Sequence, residues 1–171
     1  MEPVHIHLLL NHVPILGSIV GLLLLLYAVI RSSDEVLRIA FIALVLTAVV
    51  AIPVFLTGEP AEEVVERLPG VSEALIEQHE DAAKFALWTS IVTGVAAFVA
   101  LFFSSKLRSA GKYLTWTVMV LSLITAITMG RAGNLGGQVR HTEIRAAGAQ
   151  NPVQPDNAVA DKKNKEGDDD H

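Results

Sequence analysis

The chain is 171 residues long, 51% hydrophobic and 18% charged, with mean hydropathy +0.46, a formal charge of −5 and no cysteine. Soluble domains carry about 25% charged residues and seldom hold several uncharged apolar stretches near 20 residues, so a soluble catalytic domain is excluded and a membrane protein is expected. Lack of Cys excludes disulfides, thiolate metal sites, iron–sulfur clusters and covalent c-type haem, and an acidic balance with no basic stripe excludes a nucleic-acid partner.

The first apolar run covers residues 13–30 and is closed by Arg31-Ser32-Ser33-Asp34-Glu35. Neither Lys nor Arg precedes it and Glu2 is acidic, so it reads as a span rather than a signal peptide. The second run, residues 39–57, is closed by Gly58-Glu59-Pro60; the third and fourth cover residues 85–105 and 113–130, with Lys106, Arg108 and Lys112 between them. At 1.5 Å per residue, each reaches across roughly 30 Å of hydrocarbon with help from its flanks. Short connections after the first and third runs predict antiparallel neighbours. The expected fold is an all-α membrane protein, an antiparallel up-down four-transmembrane-helix bundle over residues 1–145.

Arg31, Arg38, Lys106, Arg108 and Lys112 fall in the two short loops, which the bias of cationic residues places in the cytoplasm. That predicts a multi-pass protein of the bacterial inner membrane with both termini periplasmic, although Arg131, Arg140 and Arg145 follow the fourth run on the other side. The loop of residues 58–84 is rich in Glu and reads as two short amphipathic helices, 61–67 and 72–81, broken at Pro69-Gly70. Ser72 is its candidate N-cap, and the second helix is able to run directly into the third span. Residues 146–171 offer almost nothing to bury and read as a disordered polar tail.

His5, His7, His12, His79 and His141 all fall on one side of this topology, together with the acidic loop and a Gly-rich stretch around Gly136-Gly137. An imidazole facing lipid loses its water hydrogen bonds, so His12, set among apolar residues, is expected to point inward to a partner, a cavity or a metal. The plain alternative is a polar cap on a loop carbonyl; proton or quinone chemistry is a third reading. His79 opens a stripe of small residues, Ala83, Ala86, Ser90, Gly94 and Ala97, which suits close helix packing or a flat macrocycle. His12 and His79 sit on diagonal helices of a square bundle and are the preferred pair of metal ligands, axial to a haem b iron. His7 and His141 are further candidate cofactor-binding residues, and Arg131 and Arg140 are candidate partners for haem propionates, with nearby Glu residues as their default partners. A divalent-metal site of His5, His7, His141 and a loop Glu is a separate candidate, though the spacing of His7 and His12 does not match a helical zinc pair.

The pattern resembles a bacterial family of small predicted four-span membrane proteins, a domain of unknown function. The resemblance rests on His7-Leu8-Leu9-Leu10-Asn11-His12-Val13-Pro14, on Thr57-Gly58 at the end of the second run, on His79 opening the third, and on Gly136-Gly137 after the fourth. It covers about residues 5 to 141 and departs where the family commonly has Pro directly after the first His and this chain has Leu8. It implies the four-span architecture and directs attention to His7, His12 and His79 without implying a reaction. The functional expectation is a b-type haem protein, or the haem-bearing subunit of a respiratory electron-transfer assembly, meeting other subunits or a periplasmic electron carrier. The alternative is a non-catalytic accessory or scaffold subunit.

Overall fold

The computed structural model describes residues 3–66, 71–103 and 108–141, and every element among them is helical. Helix α1 is Pro3–Leu10, α2 His12–Arg31, α3 Asp34–Leu56, α4 Gly58–Val65, α5 Glu73–Phe103 and α6 Arg108–Arg140. Four helical stretches are long and apolar enough to cross a membrane: His5–Arg31, Asp34–Val65, Glu73–Phe103 and Gly111–Val139. The expected break at Pro69-Gly70, the connection containing Lys106 and the tail of residues 146–171 lie outside the described residues.

Local chemistry accounts for the boundaries. Pro14 is the third residue of α2 and has no N–H to offer the Leu10 carbonyl, so the helix is interrupted at Asn11. The Asn11 N–H still bonds the His7 carbonyl at 2.8 Å. α2 ends at Ser32, a left-handed residue with φ 50° and ψ 42°, and Ser33 then caps α3 by accepting the Val36 N–H at 3.4 Å. Asp34 and Glu35 place negative charge at the positive end of α3. In the acidic loop α4 starts at Gly58, and α5 runs unbroken from Glu73 into the third apolar stretch. α6 continues through Gly130, Gly133, Gly136 and Gly137, ten residues beyond the fourth apolar run.

Helix α2 packs on α3 and α6, and α5 packs on the same two; α1 lies across α3 and α4. The seams are lined by small side chains. Gly17 faces Thr47, Gly21 faces Leu44, and Gly94 faces Ala48. Ser18, Ala40, Ala86, Ser90, Ala97, Ala100 and Ser122 are fully or almost fully buried, whereas Leu16, Leu23, Ile30, Phe98, Phe102 and Ile127 are exposed. Leu25, Phe41, Leu44 and Val118 are buried with them, and the small residues between let the backbones approach closely.

Hydroxyls join α5 to α6. Thr93 Oγ1 and Thr125 Oγ1 lie 2.8 Å apart in a buried pair, and Thr89 and Thr128 repeat the contact one turn away at 2.9 Å. Thr93 also donates to the Thr89 carbonyl at 2.8 Å, which leaves Thr125 as the donor across the seam. Bonds of this kind contribute about 0.6 kcal/mol each on average in membrane bundles. Thr93→Val keeps the shape of the side chain and is expected to lower stability by about that amount, read from unfolding of the detergent-solubilised protein. A loss of several kcal/mol would show that the pair does more than join helices.

Candidate functional site

At one end of the bundle four stretches of chain converge on two imidazoles. His7 projects from α1 onto the end of α3, where its Nδ1 lies 3.0 Å from the Val54 carbonyl oxygen and 3.5 Å from Thr57 Oγ1. The Thr57 hydroxyl is held at the helix end, 2.9 Å from the Pro53 carbonyl and 3.0 Å from that of Val54. His79 projects from α5 onto α6, with Nδ1 3.0 Å from the Ala132 carbonyl oxygen.

A carbonyl oxygen only accepts, so Nδ1 carries the proton in both rings. In the neutral form of each imidazole the lone pair is then on Nε2. No described residue takes a hydrogen bond with either Nε2. This is the tautomer, and the backbone support, that metal-ligating histidines use: the second ring nitrogen donates to a fixed oxygen and thereby orients the first.

Glycines stand beside both rings. A Cβ placed on Gly136 would come 3.0 Å from His79 Cε1 and 3.6 Å from its Nε2, tighter than ordinary packing. A Cβ on Gly58 would meet His7 Cε1 at 3.6 Å, an ordinary contact. Gly133, one turn before, fits against Ile15 of α2, where a Cβ would lie 2.7 Å from Cδ1. The Gly-rich end of α6 is therefore helical because it is packed closely. Each Gly costs about 1 kcal/mol of helix propensity, but only Gly leaves room for these neighbours.

The remaining sequence-predicted residues are distributed differently. His12 is exposed, as is His5, whereas His7 and His79 are the rings whose Nδ1 reaches a backbone carbonyl. His141 follows the end of α6 and is exposed, with its N–H bonded to the Gly137 carbonyl at 2.9 Å. Arg131 is exposed and lines a groove with Asp81, one position before the Ala132 that supports His79. Arg140 closes α6, and the expectation for its side chain lies outside the described residues. No group of three or more His, Asp or Glu side chains suited to a metal ion occurs among the described residues, so the zinc-like set of His5, His7, His141 and a loop Glu is not assembled there.

Sequence reasoning did not single out Asn11. Its Oδ1 is buried without a hydrogen-bond partner among the described residues, one turn after His7. A carboxamide amid apolar residues is the signal that would have found it. Glu80 of α5 pairs with Lys84 one turn on at 2.7 Å. No family model, no curated protein and no solved structure matches this chain.

Proposed function

We propose that the chain is an antiparallel up-down bundle spanning the bacterial inner membrane, and that His7 and His79 together hold a haem b iron used in electron transfer. The apolar outer surface and the small-residue seams support insertion. Exposed Tyr27, Tyr113 and Trp116 lie near the Arg31 and Lys112 ends, with exposed Trp88 towards the histidine end, as expected of aromatic side chains at two bilayer interfaces. The up-down arrangement is supported by contact order along the seams. Gly17 meets Thr47 while Gly21 meets Leu44, and Thr89 meets Thr128 while Thr93 meets Thr125.

The observation that carries the haem reading is the pair of Nδ1–H groups held by the carbonyls of Val54 and Ala132. In the neutral form both leave a lone pair on Nε2, so His7 and His79 would be the two residues to hold a haem iron. Haem would supply one-electron chemistry, and the protein orients the two imidazoles through their Nδ1–H groups. Backbone carbonyls are suitable supports because they cannot be protonated away, and their bonds raise the basicity of the rings.

The reading is tested by expressing the full chain with haem supplied, purifying it from carbonate-washed membranes and recording its absorption spectrum. A Soret band with a reduced α-band is expected, and a colourless integral protein would refute the haem assignment. Cysteines introduced at Ser33 and Ser109 are expected to label from the cytoplasmic side. Gly136→Ala pushes on the His79 ring edge and is expected to weaken haem retention by roughly tenfold or more, the scale of disturbing a ligand's outer support. Gly58→Ala, which meets its ring at an ordinary distance, is expected to leave retention unchanged.

A further inference from the structure

A groove of about 360 Å³ runs between α5 and α6 and is open on one side. Its lining is graded. By the register in which Thr89 meets Thr128 and Thr93 meets Thr125, Arg131 stands about level with Phe85; Asp81 lies about one turn nearer the end of the bundle and Ile127 about one turn deeper, with Gln78 and Thr128 adding polar lining. A turn rises about 5.4 Å, so from the end of the bundle inwards a carboxylate, a guanidinium and the Ile127 side chain follow one another along the groove, with Ala82 leaving the wall low. Among the described residues neither Asp81 nor Arg131 enters an ion pair; the ion pair on this stretch of α5 joins Glu80 to Lys84. Two opposite charges beside one groove, neither in an ion pair among the described residues, are a recognition element for a ligand that carries both signs.

We infer that this groove binds the headgroup of an aminophospholipid, with its phosphate on Arg131 and its primary ammonium on Asp81. The inference rests on the membrane-spanning reading and is independent of the histidine pair. Guanidinium binds phosphate oxygens in a two-pronged arrangement, and a carboxylate accepts the N–H donors of a primary ammonium. The first acyl carbons lie along Phe85 and Ile127 in the bilayer. The volume is at the small end of ligand sites, enough for a headgroup and not for a whole lipid. Charge decides between lipid classes. An anionic headgroup satisfies Arg131 and is repelled by Asp81. A choline headgroup has no N–H for Asp81, and an uncharged quinone uses neither residue.

The test uses the full chain in nanodiscs made with equal amounts of phosphatidylethanolamine, phosphatidylglycerol and phosphatidylcholine, followed by native mass spectrometry of retained lipid. Wild type is expected to retain phosphatidylethanolamine in about tenfold preference to the other two, the scale of one charge-assisted bond. Asp81→Asn is expected to shift retention towards phosphatidylglycerol, because the repelling charge is gone. Arg131→Gln is expected to abolish selective retention. Both side chains are exposed, so neither replacement disturbs the packed seams. Preference for phosphatidylglycerol by wild type, or a lipid pattern unchanged by both replacements, would overturn the inference. Extraction of the chain by carbonate would instead overturn the membrane reading. An integral protein with an unselective lipid shell overturns the groove alone.

Discussion

His79→Ala and His7→Ala are each expected to strip haem from the purified protein, while His12→Ala retains it. If His7 and His79 hold the haem, each of the first two would remove a ligand nitrogen outright, and the loss should exceed the roughly 10–100-fold cost of disturbing only an outer support. The contrast with His12 follows from placement. His12 is exposed, whereas His7 and His79 each spend Nδ1–H on a backbone carbonyl and present Nε2. Adding free imidazole to the His79→Ala protein should restore part of the spectrum if the lost group was a ligand. Haem content measured against protein, with circular dichroism to show that the helices persist, separates ligation from folding. Retention of haem by the His7→Ala, His79→Ala double variant would remove both residues from the site.

The second large effect concerns packing. Gly94→Leu is expected to destabilise the bundle by about 1–3 kcal/mol or more, because it overfills the closest approach of α3 and α5. Even a Cβ at position 94 would stand 2.5 Å from the Ala48 Cβ, against the roughly 3.5–4.0 Å at which carbon atoms rest. Ala48 has no torsion by which to withdraw its methyl group, so the helices themselves must separate. Gly21 offers a graded comparison, since a Cβ there meets the mobile Leu44 Cδ2 and the cost falls on a side chain. Gly130 is the control. Nothing lies within 4 Å of a Cβ at that position, and Gly130→Ala is expected to be neutral or to stabilise by up to about 1 kcal/mol through helix propensity. Thermal unfolding in one detergent ranks the three; a Gly94→Leu protein as stable as wild type would contradict the close approach.

The four long helices were legible because their apolar runs are long and their ends are marked by Ser33, Asp34, Gly58 and Pro60. The stripe from Ala86 through Ser90, Gly94 and Ala97 was equally legible, and those residues are buried where the helices meet. The helical state of the stretch from Gly130 to Gly137 was not. Glycine propensity argues against a helix, and only the fit of Gly133 on Ile15 and Gly136 on His79 explains it. The place of His7 was hidden for a different reason. Apolar neighbours around His12 suggested an interior position, but in a chain whose outer surface is also apolar they do not separate inside from outside. His7 reaches its place because α1 is a distinct helix crossing α3 and α4, a tertiary fact with no trace in local spacing. The sequence stretches that mark the site, His7, Thr57-Gly58, His79 and Gly136, are far apart in the chain and come together at one end of the fold.

The central claim is that His7 and His79 bind one iron through both Nε2 atoms, and electron paramagnetic resonance of the oxidised, haem-loaded protein tests it most directly. If both imidazoles were ligands they would impose a strong field, so a low-spin ferric signal is expected that turns high-spin in either the His7→Ala or the His79→Ala variant. A high-spin signal in the wild-type protein, or a low-spin signal that survives both single replacements, would contradict it.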